Sequence, residues 1–152
     1  MVKLGVKDVV GERSLMRLLR RVQRLHQKRM QANFSDSDHS FEEWMALRLL
    51  ADGLVETAGD LAREFGIATG ATTRLIDSLE NQGFIERDSK QNDRRVVLLK
   101  LTKSGEVHFR SKLPDMLECW NVLMKDWTRD EVEQFITLLM KLEVSFLGNA
   151  RD

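Results

Sequence analysis

DLAREFGIATGATTRLIDSLENQGFIERDSKQNDRRVVLLKLTKSG, residues 60–105, is the stretch from which the fold is read. Two helical patterns come first. Residues 58–65 place Ala58, Leu61, Ala62 and Phe65 at helical spacing, and Gly66 follows, a residue able to take the sharp turn that ends a helix. Residues 69–82 put Thr72, Leu75, Ile76 and Leu79 on one face and Gly70, Thr73, Arg74 and Asp77 on the other. Gly83 stops that helix, residues 84–87 alternate apolar and charged as a half-buried strand does, and residues 96–101 resume a β-rich run. Residues 88–95 between the strands form a polar loop that ends in Asp93-Arg94-Arg95.

Helix, turn, helix and a charged hairpin is the order of a winged helix-turn-helix. A helix exposing small polar groups and an arginine beside a basic hairpin tip suits a DNA duplex, whose major groove admits a helix and whose backbone attracts cations. A small α+β core with a solvated hairpin gives the same pattern. The run Asp93-Arg94-Arg95-Val96-Val97-Leu98-Leu99-Lys100-Leu101-Thr102-Lys103-Ser104-Gly105 resembles the wing signature of the multiple antibiotic resistance regulator (MarR) family, an Asp-x-Arg, a strand and Leu-Thr-x-x-Gly. Leu61-Ala62 before Phe65-Gly66, and Leu79-Glu80 before Gly83-Phe84-Ile85-Glu86-Arg87, are similar to its pattern as well.

The resemblance implies a second helix in the major groove and a wing arginine in the minor groove. Thr73 and Arg74 become the leading recognition-helix residues, with Thr69, Gly70 and Thr72 on the same helix. Arg95 becomes the wing residue, oriented by Asp93 through a charge-assisted hydrogen bond, while Lys90, Asn92 and Arg94 touch phosphate. One departure matters. Ala68, Gly70 and Ala71 stand where relatives commonly have a serine cap and polar groove-facing residues, so backbone amides and groove shape would carry more of the contact.

A chain of 152 residues fits one domain or two tightly joined lobes, and 42% hydrophobic with 32% charged residues points to a globular protein. No apolar run reaches bilayer length and the amino terminus has no secretory pattern, so a cytoplasmic location without membrane is expected. A lone cysteine, Cys119, cannot form an internal disulfide, and its apolar neighbours read it as buried and inert. Net charge is zero, but residues 13–30 hold seven lysines or arginines and no carboxylate, whereas residues 106–152 hold nine acids against six bases. Separation of this kind lets one surface attract phosphate; a solvated basic stripe is the plainer reading of Arg13, Arg17, Arg20, Arg24 and Lys28.

Residues 14–31 read as a helix with Ser14 as N-cap, and Ser40 with Glu42 and Glu43 opens another that runs to about Ala51. After Thr102, a cap, the chain is expected to stay helical, with Pro114 either kinking the helix or starting a new one, and Thr128-x-x-Glu131 boxing the last. The fold expected is mainly α (α+β): a winged helix-turn-helix lobe at 54–103 and a helical lobe at 13–32 and 104–152. The first helix and the last two carry apolar stripes too long for the small lobe to cover, so a homodimer is expected, as the resemblance also implies.

The family resemblance further implies a small aromatic or anionic lipophilic effector, to be sought around Met30, Phe34, Trp44, Met45 and Trp120, residues for which ordinary core packing is the favoured reading. Asp36, Asp38 and His39 are read as loop rather than as a metal site, and neither metal nor cofactor is expected. No nucleophile, base and orienting group stand at an interpretable spacing, so the reading is a ligand-responsive DNA-binding repressor and not an enzyme, with a DNA-free interaction module as the alternative.

Overall fold

The computed structural model describes residues 3–35, 39–89 and 97–148. It divides into two compact units, Met1–Leu113 and Pro114–Asp152. In the first, α1 (Val6–Val9) precedes α2 (Leu15–Ala32), α3 (Phe41–Ala51), α4 (Ala58–Phe65), α5 (Thr69–Asn81), the strands β1 (Ile85–Ser89) and β2 (Val97–Leu101), and α6 (Lys103–Ser111). The second holds α7, which spans Leu113–Leu123, and α8 (Arg129–Gly148). The fold is mainly helical, with the winged helix-turn-helix in the order expected.

Caps set most of these boundaries. The Ser14 hydroxyl accepts from the Arg17 amide at 3.3 Å, and Ser40 and Glu43 form a reciprocal box at 3.1 and 2.8 Å. Thr57 and Asp60 form another at 3.1 and 3.0 Å. Gly66 and Gly83 both take left-handed backbone, φ 60° and 72°, which turns the chain sharply after α4 and after α5. Pro114 sits in the first turn of α7, where its missing N–H is not needed, so it starts a helix rather than kinking one. Thr128 and Glu131 cap each other before α8, at 2.7 and 3.2 Å.

β1 and β2 are antiparallel, pairing Ile85 with Leu101, Arg87 with Leu99 and Ser89 with Val97. The first strand therefore reaches through Asp88 and Ser89, two residues further than the alternation of 84–87 indicated. On the other edge of β2, Thr57 bridges Leu98 and the Leu99 amide donates to the Glu56 carbonyl at 2.8 Å. That contact ties the segment leading into α4 to the hairpin. Leu61, Ile76, Leu79, Ile85 and Leu99 bury together as the core of the lobe, each large side chain worth about 1.5–3 kcal/mol of transfer free energy.

Elsewhere the apolar stripes stay open. Leu15, Leu18, Leu19, Val22 and Leu25 of α2 are exposed, and so are Ile136, Leu139, Leu142 and Phe146 of α8; Met116 and Cys119 of α7 are buried. No described helix is long and apolar enough to cross a membrane.

Candidate nucleic-acid interface

α5 presents the face on which a duplex would lie. Its cap residue, Ala68, supplies no side-chain acceptor; the Ala71 amide donates to the Ala68 carbonyl at 2.9 Å, which leaves the Thr69 and Gly70 amides to an acceptor from outside. Thr69, Gly70, Thr73 and Arg74 are exposed. A Cβ at Gly70 would meet nothing within 4 Å. The Thr73 hydroxyl donates back to the Thr69 carbonyl at 2.9 Å, and Arg74 makes no ion pair among the described residues. Thr72 differs: it is 2% exposed and its hydroxyl faces the Ala68 carbonyl at 3.4 Å, so its side chain packs inward, as its place on the apolar stripe dictates. Asp77, on the outward face by periodicity, is paired with Arg87 of β1, which also reaches Glu80 at 3.2 Å. These pairs fasten α5 to the hairpin. Lys90, Asn92, Asp93, Arg94 and Arg95 lie outside the described residues, as do Asp36 and Asp38 of the loop considered for metal.

A buried carboxylate that sequence reasoning treated only as a helix-start charge holds α5 from behind. Glu43 of α3 accepts from the Ser78 hydroxyl at 2.6 Å and from the Gln82 amide at 3.0 Å, both at the C-terminal end of α5. Burial alone would raise its pKa; the hydrogen bonds from Ser78, Ser40 and Gln82 and the charge of His39 outweigh it and hold the pKa below its ordinary value of 4.5. Nearby, the His108 ring stacks on Phe84 at 4.5 Å and meets His39 edge-on at 4.2 Å. Burial, then His39 and Lys112, push the His108 pKa below 6.5 against the pull of Glu43. Residues 39 and 108 are far apart in the chain, and no local pattern joins them. The Ser40-x-x-Glu43 spacing was the available signal for the carboxylate.

Both effects carry the same sign. A histidine whose pKa falls on folding leaves the unfolded chain with more bound protons below 6.5, so stability should drop as pH falls through that region, for His108 and for His26, whose pKa burial also lowers. Glu43 adds stability above its unfolded pKa that is lost as pH falls through the lower folded value. Thermal melts from pH 7.5 to 4 should therefore show a first decline between about 7 and 5 and a steeper one below. Glu43→Ala should cost about 2–3 kcal/mol at pH 7, since Ser78 and Gln82 lose a charged acceptor, and should flatten the acidic limb. An unchanged melt would remove Glu43 from this role.

The residues expected around an effector separate. Met30, Phe34 and Trp44 are buried: Phe34 lies 6.1 Å from Trp44 between ring centroids, and Trp44 donates its indole N–H to the Phe109 carbonyl at 3.2 Å. They are core. Trp120 is half exposed in the second unit. Met45 lines a cavity in the first unit, of about 350 Å³, between α2, α3 and the end of α4.

Comparison with known proteins gives the same picture. A model of the MarR family matches residues 40–97. The chain is 36% identical over 97 residues to the HTH-type transcriptional regulator YcgE of Bacillus subtilis, covering 63% of this chain and 57% of that protein. It is 34% identical over 83 residues to the transcriptional repressor MprA of Escherichia coli, covering 55% of this chain and 47% of the relative. The matched stretches thus span about half the length of these curated relatives. Among solved structures, a cysteine-to-serine variant of MarR from E. coli complexed with operator DNA superposes with a TM-score of 0.70 at 28% identity, covering 84% of this chain and 92% of that one.

Proposed function

We propose that the chain, which matches the MarR family model over residues 40–97, is a homodimeric transcriptional regulator that binds double-stranded DNA and releases it in response to a small molecule. The observation that carries the reading is the open face of α5, where Gly70, Thr73 and Arg74, which has no ion pair among the described residues, are exposed. A convex helix with open first-turn amides and an exposed cation is shaped to enter a major groove, while the phosphates on either side meet the hairpin. Lys90, Asn92, Arg94 and Arg95 are assigned to that hairpin contact, with Asp93 orienting Arg95. The transcriptional repressors among the relatives support regulation as the activity, with no catalysis of its own.

The exposed stripes of α2 and α8 support the dimer, residues 13–32 and 104–152 serving as its helical lobe. An interface of this kind buries on the order of 2,000 Å² or more. Leu139→Glu places a charge at an exposed site in the single chain and in a buried seam in the dimer, so it should leave the helix content intact. Association should weaken by about 2 kcal/mol or more for each copy. Sedimentation of wild type and variant reads this; a folded wild-type monomer at micromolar concentration contradicts the dimer. DNA binding is tested by gel shift on the region upstream of the protein's own operon. Failure of a folded dimer on every fragment favours a protein interaction module instead.

A further inference from the structure

The cavity beside Met45 tells what kind of molecule would control this protein, and the inference rests on the ligand-responsive reading above. Its floor is apolar, formed by Phe41, Met45 and Leu49 of α3 with Phe65 at the end of α4. Its rim carries two carboxylates, Glu42 and Glu64, and no lysine or arginine lines it. His26, the remaining ionisable group of the lining, sits edge-on to Phe41 at 6.2 Å, and its burial keeps it neutral at pH 7. The charged groups of the lining are therefore net negative. At about 350 Å³ it falls at the small end of the range for organic ligands.

We propose that this cavity binds an organic cation, an ammonium group carried on an aromatic or aliphatic body, as the effector of the protein. The Glu42 carboxylate accepts from the Gln31 amide through one oxygen at 3.3 Å, which holds it in place and leaves the other oxygen for the ligand. Glu64 makes no ion pair among the described residues. An ammonium between these two carboxylates gains Coulomb attraction from both, and Phe41 and Phe65 of the lining supply aromatic rings for cation–π contact. A lipophilic anion would meet the same two carboxylates as repulsion, so the cavity narrows the effector class to cations.

The position gives the ligand a lever on DNA. Phe65 immediately precedes Gly66, the left-handed turn from α4 into α5, and α3 carries Glu43, which grips Ser78 and Gln82 at the far end of α5. A molecule bound between α3 and α4 thus touches both supports of the recognition helix, and any difference in its affinity between the DNA-competent and DNA-free arrangements becomes a shift in operator affinity.

Benzyltrimethylammonium and phenylacetate are matched probes of opposite charge. Calorimetric titration of the full-length protein should show the cation binding at least 10-fold more tightly than the anion. Glu64→Gln and Glu42→Gln should each raise its Kd roughly 5-fold or more while leaving the affinity of ligand-free protein for operator unchanged. In gel shifts the cation should weaken operator binding by wild type and lose that effect in the double variant. Equal or tighter binding of phenylacetate overturns the proposal, as does cation binding that neither glutamine substitution weakens, or cation binding without effect on the DNA complex. A wild-type protein that binds no DNA would strike the regulator reading itself, and the calorimetric arms would still decide the chemistry of the cavity.

Discussion

Gly105→Ala should destabilise the protein by about 3 kcal/mol, the upper end of what overpacking costs, and lower the melting midpoint by roughly 6–12 °C. A Cβ at Gly105 would stand 2.2 Å from the Phe84 carbonyl oxygen and 2.8 Å from a methyl of Leu101. That carbonyl is held by the Thr102 amide, which donates to it at 3.0 Å, while the Thr102 hydroxyl shares its proton between the Gly83 carbonyl at 2.8 Å and the Phe84 carbonyl at 3.1 Å. The same hydroxyl oxygen caps α6 by accepting from the Gly105 amide at 3.0 Å. Glycine at 105 thus lets the start of α6 press against the backbone where α5 ends and β1 begins, and Leu101-Thr102-x-x-Gly105 becomes a description of one close approach. Gly70→Ala is the control. Nothing lies within 4 Å of its added methyl, so stability should hold or rise by about 0.5 kcal/mol through helix propensity. Equal melts for the two alanine variants would refute the steric account.

The contrast marks what the sequence discloses and what it withholds. Periodicity placed α4 and α5 to within a residue, because each has a buried stripe and a glycine stop. Chemistry that depends on one local spacing was legible too, as at Thr102 and at Thr128-x-x-Glu131. The cavity was not: its carboxylates come from α3 and α4 and its polar wall from α2, three helices whose approach no local pattern encodes. Apolar composition does not separate core from pocket either: Met30, Phe34 and Trp44 are buried, with Phe34 against Phe41 and Trp44 against Phe109, contacts that no local pattern encodes. Asp77 stands on the outward face where periodicity put it, but its ion pair with Arg87 of β1 joins two elements and no local pattern encodes it.

The largest effect on function is expected at the wing. Arg95→Ala should weaken operator binding by about 2–6 kcal/mol while leaving the fold intact. Arg95 lies outside the described residues, and its role is proposed from the Asp93-x-Arg95 resemblance; the adjoining strands, β1 and β2, are held by their own pairing and by the bridge from Thr57 to Leu98, none of which uses Arg95. Truncation therefore removes a cation and opens no cavity in the described core, so melts should agree within about 0.5 kcal/mol. In a two-fold dimer each arginine acts twice. Half-sites about one helical turn apart, roughly 34 Å, let both wings reach their flanking grooves together, and two contacts of about 1–3 kcal/mol each give the range stated. Each phosphate neutralisation lost should also flatten the plot of log K against log salt by about 0.9. Arg74→Ala separates the helix from the wing: Arg74 is exposed on α5 without an ion pair among the described residues, so its loss should relax base preference at one position in each half-site. Arg94→Ala, assigned to backbone contact, should weaken all sequences alike. Salt titrations of the three variants on a pseudo-palindromic operator and on scrambled DNA, with melts alongside, distinguish these roles. Undiminished affinity in Arg95→Ala ends the wing assignment, and a collapsed melt makes that arginine a structural residue, leaving α5 as the element through which the operator is read.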